Sequence, residues 1–154
     1  MRRNLWWLIG AVLLAGCAPK GLPRPASWTA GTNNGELVIY RPAAFFSDAR
    51  NAYFYADGVH IASVGANTYS VVSLPPDAYK VTQKWDWDKL MKDLVIDVRV
   101  HPKQRSYARL KLTQGALLVG TITESWALEE VPADVGAAEI LKLQANAPAT
   151  SASR

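Results

Sequence analysis

One cysteine, Cys17, serves a chain of 154 residues, so no internal disulfide can form and the fold must hold without a covalent bridge. Histidine is nearly as scarce. His60 and His101 are the only two, and neither has a second histidine, a cysteine or a close acid pair at the spacing that holds a metal ion, so no metal and no other cofactor is expected. No Gly-x-Ser-x-Gly segment marks a serine nucleophile. Basic residues are scattered among acids without a Lys/Arg run, and a formal charge of +4 argues for no nucleic-acid partner. A bilayer-spanning helix needs roughly 20 apolar residues, and the one long apolar run breaks at Pro19-Lys20-Gly21.

What the N-terminal run does contain is ordered. Met1-Arg2-Arg3-Asn4 is a short cationic stretch, Leu5 to Leu14 is apolar, and the small residues Ala15 and Gly16 stand directly before Cys17. These are the parts of a secretion signal in their usual sequence. Leu14-Ala15-Gly16-Cys17 resembles the lipobox of bacterial lipoproteins, which implies diacylglyceryl transfer to the Cys17 sulfur, cleavage between Gly16 and Cys17, and in many diderms N-acylation (palmitate or a similar chain) of the new terminus. Acyl chains bury about 0.8 kcal/mol per methylene, and several of them anchor a protein almost permanently. Ala18 follows where an aspartate would favour retention at the inner membrane, so the expectation is a lipid-anchored protein of the cell envelope, at the outer membrane and facing the periplasm. A nucleophilic role for Cys17 would need an activating base beside it, and the neighbouring residues supply none.

The expected organisation is a signal peptide over 1–16, a lipidated flexible tether over 17–35, a folded domain over 36–145 and a disordered tail over 146–154. Loss of Arg2 and Arg3 leaves a mature charge of about +2 on roughly 138 residues, enough for one domain. The tether is rich in Pro, Gly, Ser and Asn, with Trp28 as the exception, expected to pack on the domain edge or at the lipid interface.

Past it, short apolar runs recur at strand length. Glu36 to Arg41 ends at Pro42; Ala52–Ala56 and Val59–Val64 flank Asp57-Gly58, a two-residue hairpin signal; Thr68 to Leu74 stops at Pro75-Pro76-Asp77. Tyr79, Val81, Gln83 and Trp85 then alternate with Lys80, Thr82 and Lys84. Leu94, Ile96, Val98 and Val100 share a face, as do Ala108, Leu110 and Leu112, and these two segments read as antiparallel neighbours joined around His101-Pro102-Lys103-Gln104. The run from Leu117 to Val131 holds one or two strands. After Pro132, the residues Val135, Ala138, Ile140, Leu141 and Leu143 suit the apolar face of a short helix, with Gly136 weakening its first turn. The fold class is therefore mostly β: an antiparallel β-sandwich or open barrel of about seven or more short strands, with one short C-terminal helix.

Gly35 to Pro42, the aromatic strands around Asp57-Gly58, Val72 to Pro76, and Ser125 to Val131 before the helix together make a pattern that resembles an uncharacterised family of bacterial lipoproteins, a domain of unknown function. The resemblance spans roughly Gly35 to Leu143. It implies a small mostly-β periplasmic or surface domain and carries no catalytic residues. The chain departs from the pattern at Pro75-Pro76-Asp77-Ala78, where members place a glycine after the proline, so this turn must avoid positive φ or bear strain.

Trp85-Asp86-Trp87-Asp88 is the most distinctive segment of the mature chain. On a continuing strand Trp85 and Trp87 share a face, with Asp86 and Asp88 opposite. Such an array suits a possible binding site that stacks on a sugar ring or grips an apolar anchor of a partner; it equally suits two rings closing the end of the sandwich. Phe45-Phe46 and Tyr53-Phe54-Tyr55 read as core and cross-strand pairs. Arg41, if buried, must be paired, with Asp57 or Asp48 as the natural partner. The reading is a non-catalytic binding or structural module for an envelope protein partner. The alternatives are a glycan-binding module using Trp85 and Trp87, and a hydrolase, which would need His60 or His101 within reach of a serine hydroxyl or an acid pair.

Overall fold

The computed structural model describes residues 21–28, 31–43, 50–85, 91–118 and 121–145, with the backbone alone for 114–118, 121–124 and 144–145. The expectations placed on the signal peptide with Gly16, on Cys17, Phe45, Phe46, Asp48, Asp86, Trp87 and Asp88, and on the tail lie outside these residues.

Two sheets face each other. The first is ordered β8-β7-β1-β4-β9 and the second β3-β2-β5-β6, with β1 at Gly35–Arg41, β2 at Ala52–Ala56, β3 at Val59–Val64, β4 at Thr68–Leu74, β5 at Asp77–Lys84, β6 at Leu94–Val100, β7 at Arg105–Leu118, β8 at Thr121–Val131 and β9 at Gln144–Ala145. A helix, α1, spans Ala133–Ile140. Pairing is antiparallel except for β1 with β7 and β4 with β9. The result is a mostly-β open sandwich with one short C-terminal helix, as the strand spacing predicts.

Side-chain alternation explains the layers. Leu37 and Ile39 of β1 meet Phe54, Val64, Leu74, Tyr79, Val81, Val98 and Leu110 between the sheets. Val38 and Tyr40, on the other face of β1, meet Tyr107 and Val131, with Ile140 and Leu143 packed over them. Being covered on both faces, β1 needs its unbroken apolar run. Between β2 and β3, Asp57 and Gly58 take φ of 47° and 83°, as a two-residue turn of type I′ requires. Asp77 and Ala78 stay out of the left-handed region, and the Asp77 carboxylate accepts the Ala78 N–H at 2.7 Å, so the glycine-free turn carries no strain there.

The expected pairing of β6 with β7 does not occur. Strand β6 pairs with β5 at the edge of the second sheet, while β7 lies between β1 and β8 in the first. Both strands point their apolar faces at one core, but from opposite layers, and alternation fixes a face without fixing a neighbour. The corner between them is held by Glu36 N–H to Gln104 O (2.9 Å) and Lys103 N–H to Asn34 O (3.2 Å), with Lys103 at φ 54° and the Ser106 hydroxyl donating to Arg99 O at 2.8 Å.

The face of α1 also differs from expectation. Val135 and Leu141 are 38% and 85% exposed, and Ala138 is exposed. Within the helix Gly136 alone is fully buried, while Ile140 and, just past the helix end, Leu143 pack partly buried over the sheet as expected. A Cβ at position 136 would overlap the Tyr107 ring, so the glycine sets which side of the helix approaches the sheet.

The described part of the stretch expected as a flexible tether is held against the domain. Leu22 forms a parallel bridge with Val59 and its N–H donates to Gly58 O at 2.9 Å. Arg24 donates to Ser73 O at 3.2 Å. Trp28, in a turn of 3-10 helix at Ala26–Trp28, packs edge-on against Tyr79 with ring centres 5.4 Å apart, and its carbonyl accepts from Asn34 at 2.9 Å.

Candidate functional site

Three side-chain clusters stand out, and chain direction explains where each lies. Continuing the inward face of β1 beyond Leu37 and Ile39 places Arg41 inside the sandwich, and continuing that of β5 beyond Tyr79, Val81 and Gln83 does the same for Trp85. Arg41 is wholly buried. Its guanidinium carbon lies 4.8 Å from the Trp126 ring centre and 5.3 Å from that of Trp85, and the two rings are 5.3 Å apart at 58°. Desolvated cation–π contacts of this kind are worth up to about 2 kcal/mol. The Arg41 Nη1 also donates to Arg50 O at 2.5 Å. Asp57, one of the two expected partners, is at the opposite end of the sandwich, where its carboxylate accepts the Lys80 N–H at 3.0 Å. The second sheet brings Gln83 to the same interior; it is wholly buried, and neither amide atom meets a hydrogen-bond partner among the described residues.

Of the four aromatic and acidic residues expected as a binding site, Trp85 alone is described. It is more than half covered and packs against the core, so its ring is engaged within the domain rather than offered as a platform.

The second cluster lies on the outer face of the second sheet. His60 Nε2 and the Ser63 hydroxyl are 3.1 Å apart, and the His60 ring sits 5.4 Å from Tyr55 and 6.2 Å from Tyr53. Lys84 Nζ is 5.7 Å from the Tyr55 ring centre and 3.3 Å from the Asp93 carboxylate, both ends half exposed. The contact that a hydrolase would need is thus present at His60, while His101 is exposed at the sheet-crossing corner. Ser63, however, lies within β3 between buried Ala62 and Val64, not on the sharp turn that lifts a nucleophile into a cleft with oxyanion donors around it. No group of three His, Cys, Asp or Glu that could hold a metal ion occurs among the described residues.

The third cluster fastens α1 to the first sheet. Glu139 accepts from the Tyr40 hydroxyl at 2.5 Å and from Arg109 Nη1 at 2.5 Å. Arg109 Nε donates to Glu129 at 2.8 Å, and Lys111 lies 2.9 Å from the same carboxylate. Burial, then the Glu139 hydrogen bond, push the Tyr40 hydroxyl far above its usual range. The Lys111 hydrogen bond, opposed by burial and aided by Arg109, lowers the Glu129 pKa. Burial disfavours the Arg109 cation, but its Glu129 and Glu139 contacts outweigh this and raise its pKa.

Sequence reading missed this network. Its members lie on β1, β7, β8 and α1, and the parallel pairing that sets Tyr40 opposite Arg109 leaves no local signal. The only hint was alternation, which put Arg109 and Lys111 on one face. No protein-family model matches the chain, and no curated protein or solved structure matches it.

Proposed function

We propose that the chain is a cell-envelope lipoprotein, anchored through acyl chains on Cys17 and carrying a β-sandwich that works as a non-catalytic binding or structural module for an envelope protein partner. One observation carries this reading: the only cysteine of the chain closes the segment Leu14-Ala15-Gly16-Cys17 behind a cationic and apolar leader. The resemblance to an uncharacterised lipoprotein family supports the same placement. The protein-partner reading is favoured over a glycan module because Trp85 is already packed against Trp126 and Arg41. The deciding experiment is Cys17→Ser with metabolic palmitate labelling and membrane fractionation. The variant is expected to accumulate as an unlabelled precursor; a processed, labelled, membrane-bound variant overturns the reading.

The His60–Ser63 contact gives the hydrolase alternative a specific test. A fluorophosphonate probe should leave Ser63 unmodified, and labelling that disappears in Ser63→Ala would favour the enzyme.

A further inference from the structure

The segment that joins the candidate anchor to the domain is much shorter than its composition suggests. Over residues 22–28 the chain is fixed to the body by the bridge to Val59, the hydrogen bond to Gly58 O, the Arg24 contact to Ser73 and the packing of Trp28 on Tyr79. Gly21 is already in place, since a Cβ there would meet His60 N at 3.0 Å and Tyr55 Cε1 at 3.1 Å. Only residues 18–20 separate Gly21 from Cys17, and whatever their conformation, four residue steps reach at most about 14 Å.

That leash begins at one particular pole of the sandwich. Leu22 pairs beside the Asp57-Gly58 turn, which is fastened to β5 through Asp57 N–H to Lys80 O. The start of β5 meets the end of β6 at Asp77 and Val100, next to the His101–Gln104 corner, and Gly35 opposes Leu74. The Arg41–Trp85–Trp126 cluster lies at the opposite pole, beyond the 8 residues of β5, or roughly 25 Å away at strand rise.

We propose that, in the anchored protein, the pole formed by the Asp57-Gly58 turn, the Pro75-Pro76-Asp77 turn and the His101–Gln104 corner lies against the lipid head groups, and that the Arg41–Trp85–Trp126 pole faces away from the membrane. The proposal rests on the lipid anchor at Cys17 and adds to it an orientation. Charge does not set that orientation: the near pole mixes exposed Arg24, Arg99 and Lys103 with exposed Asp57 and Asp77. The short leash sets it, so moderate salt should leave it intact. A partner reached from this membrane would then meet the far pole, where β7 and β8 continue as a pair past the end of β1.

The test uses the acylated protein in vesicles of phosphatidylethanolamine and phosphatidylglycerol that contain a nickel-chelating lipid. Acylation consumes the Cys17 thiol, so a single introduced cysteine takes a nitroxide uniquely. His101→Cys reports the near pole and Lys92→Cys the far one, both positions being exposed. Nickel head groups should relax the label at 101 at least fivefold more than at 92. Ten Gly/Ser residues inserted between Lys20 and Gly21 should abolish the difference. Acylated, vesicle-bound protein with equal relaxation at both positions overturns the orientation alone, and a difference that survives the insertion overturns the short leash as its cause. Protein that lacks the diacylglyceryl mass and does not float with vesicles overturns the anchor as well.

Discussion

Replacing Gln83 by methionine removes a buried amide that no hydrogen bond compensates among the described residues. Gln83 is wholly inaccessible, and its amide oxygen and nitrogen both lack a hydrogen-bond partner among the described residues. A buried, unsatisfied polar group costs about 1–3 kcal/mol. Methionine has nearly the same length and, being unbranched, adapts to irregular space, so repacking should cost less than about 1.5 kcal/mol. Gln83→Met should therefore stabilise the protein by about 1–2 kcal/mol. Urea unfolding should show a raised midpoint with an unchanged slope, which separates a change in stability from a change in the unfolded state. A loss of more than about 1 kcal/mol would refute the reasoning, because it would mean that the amide is hydrogen-bonded in the folded protein.

Further expectations follow from the other packed positions. Gly136→Ala drives a methyl group against Cβ and the nearest ring carbons of Tyr107 and should destabilise by about 1–3 kcal/mol in thermal unfolding, with part of the loss recovered in the Tyr107→Ala background, which removes those ring carbons. Arg41→Lys gives up the planar guanidinium over Trp85 and Trp126 and should cost about 1–3 kcal/mol, with a change in tryptophan emission as its signature. Glu129 has a lowered pKa in the folded protein, so its contribution is complete above the ordinary carboxylate range and is lost as pH falls through the folded value. Lys111→Met should flatten that acid limb by about 0.5–1 kcal/mol, the scale of a partly screened pair; identical acid unfolding curves would contradict the pairing.

How far the sequence could be read depended on the range of each signal. Local signals carried the furthest: the Asp57-Gly58 turn requires two positive-φ residues in succession, and that requirement alone placed the ends of β2 and β3. Period-two alternation was equally reliable for faces, and it already put Trp85 on the apolar side of β5 with Tyr79, Val81 and Gln83. It could not tell which strand lies beside which, so β6 and β7 were joined although they belong to different layers. The helix face failed for a related reason, since hydrophobicity ranks Val135 and Leu141 above Gly136 while the Tyr107 ring selects for the absence of a side chain. Arg41 was legible only conditionally. That it would be buried against two tryptophans depends on β1 and β5 ending at the pole where the middle of β8 passes, which no short window of sequence records.

The central claim is the anchor at Cys17, and the mass of the N-terminal peptide of the protein purified from membranes tests it most directly. The account predicts a chain beginning at Cys17 with a diacylglyceryl group on sulfur, with or without an acylated amine. A chain that still begins at Met1, or an unmodified Cys17 thiol in membrane-bound protein, would contradict it.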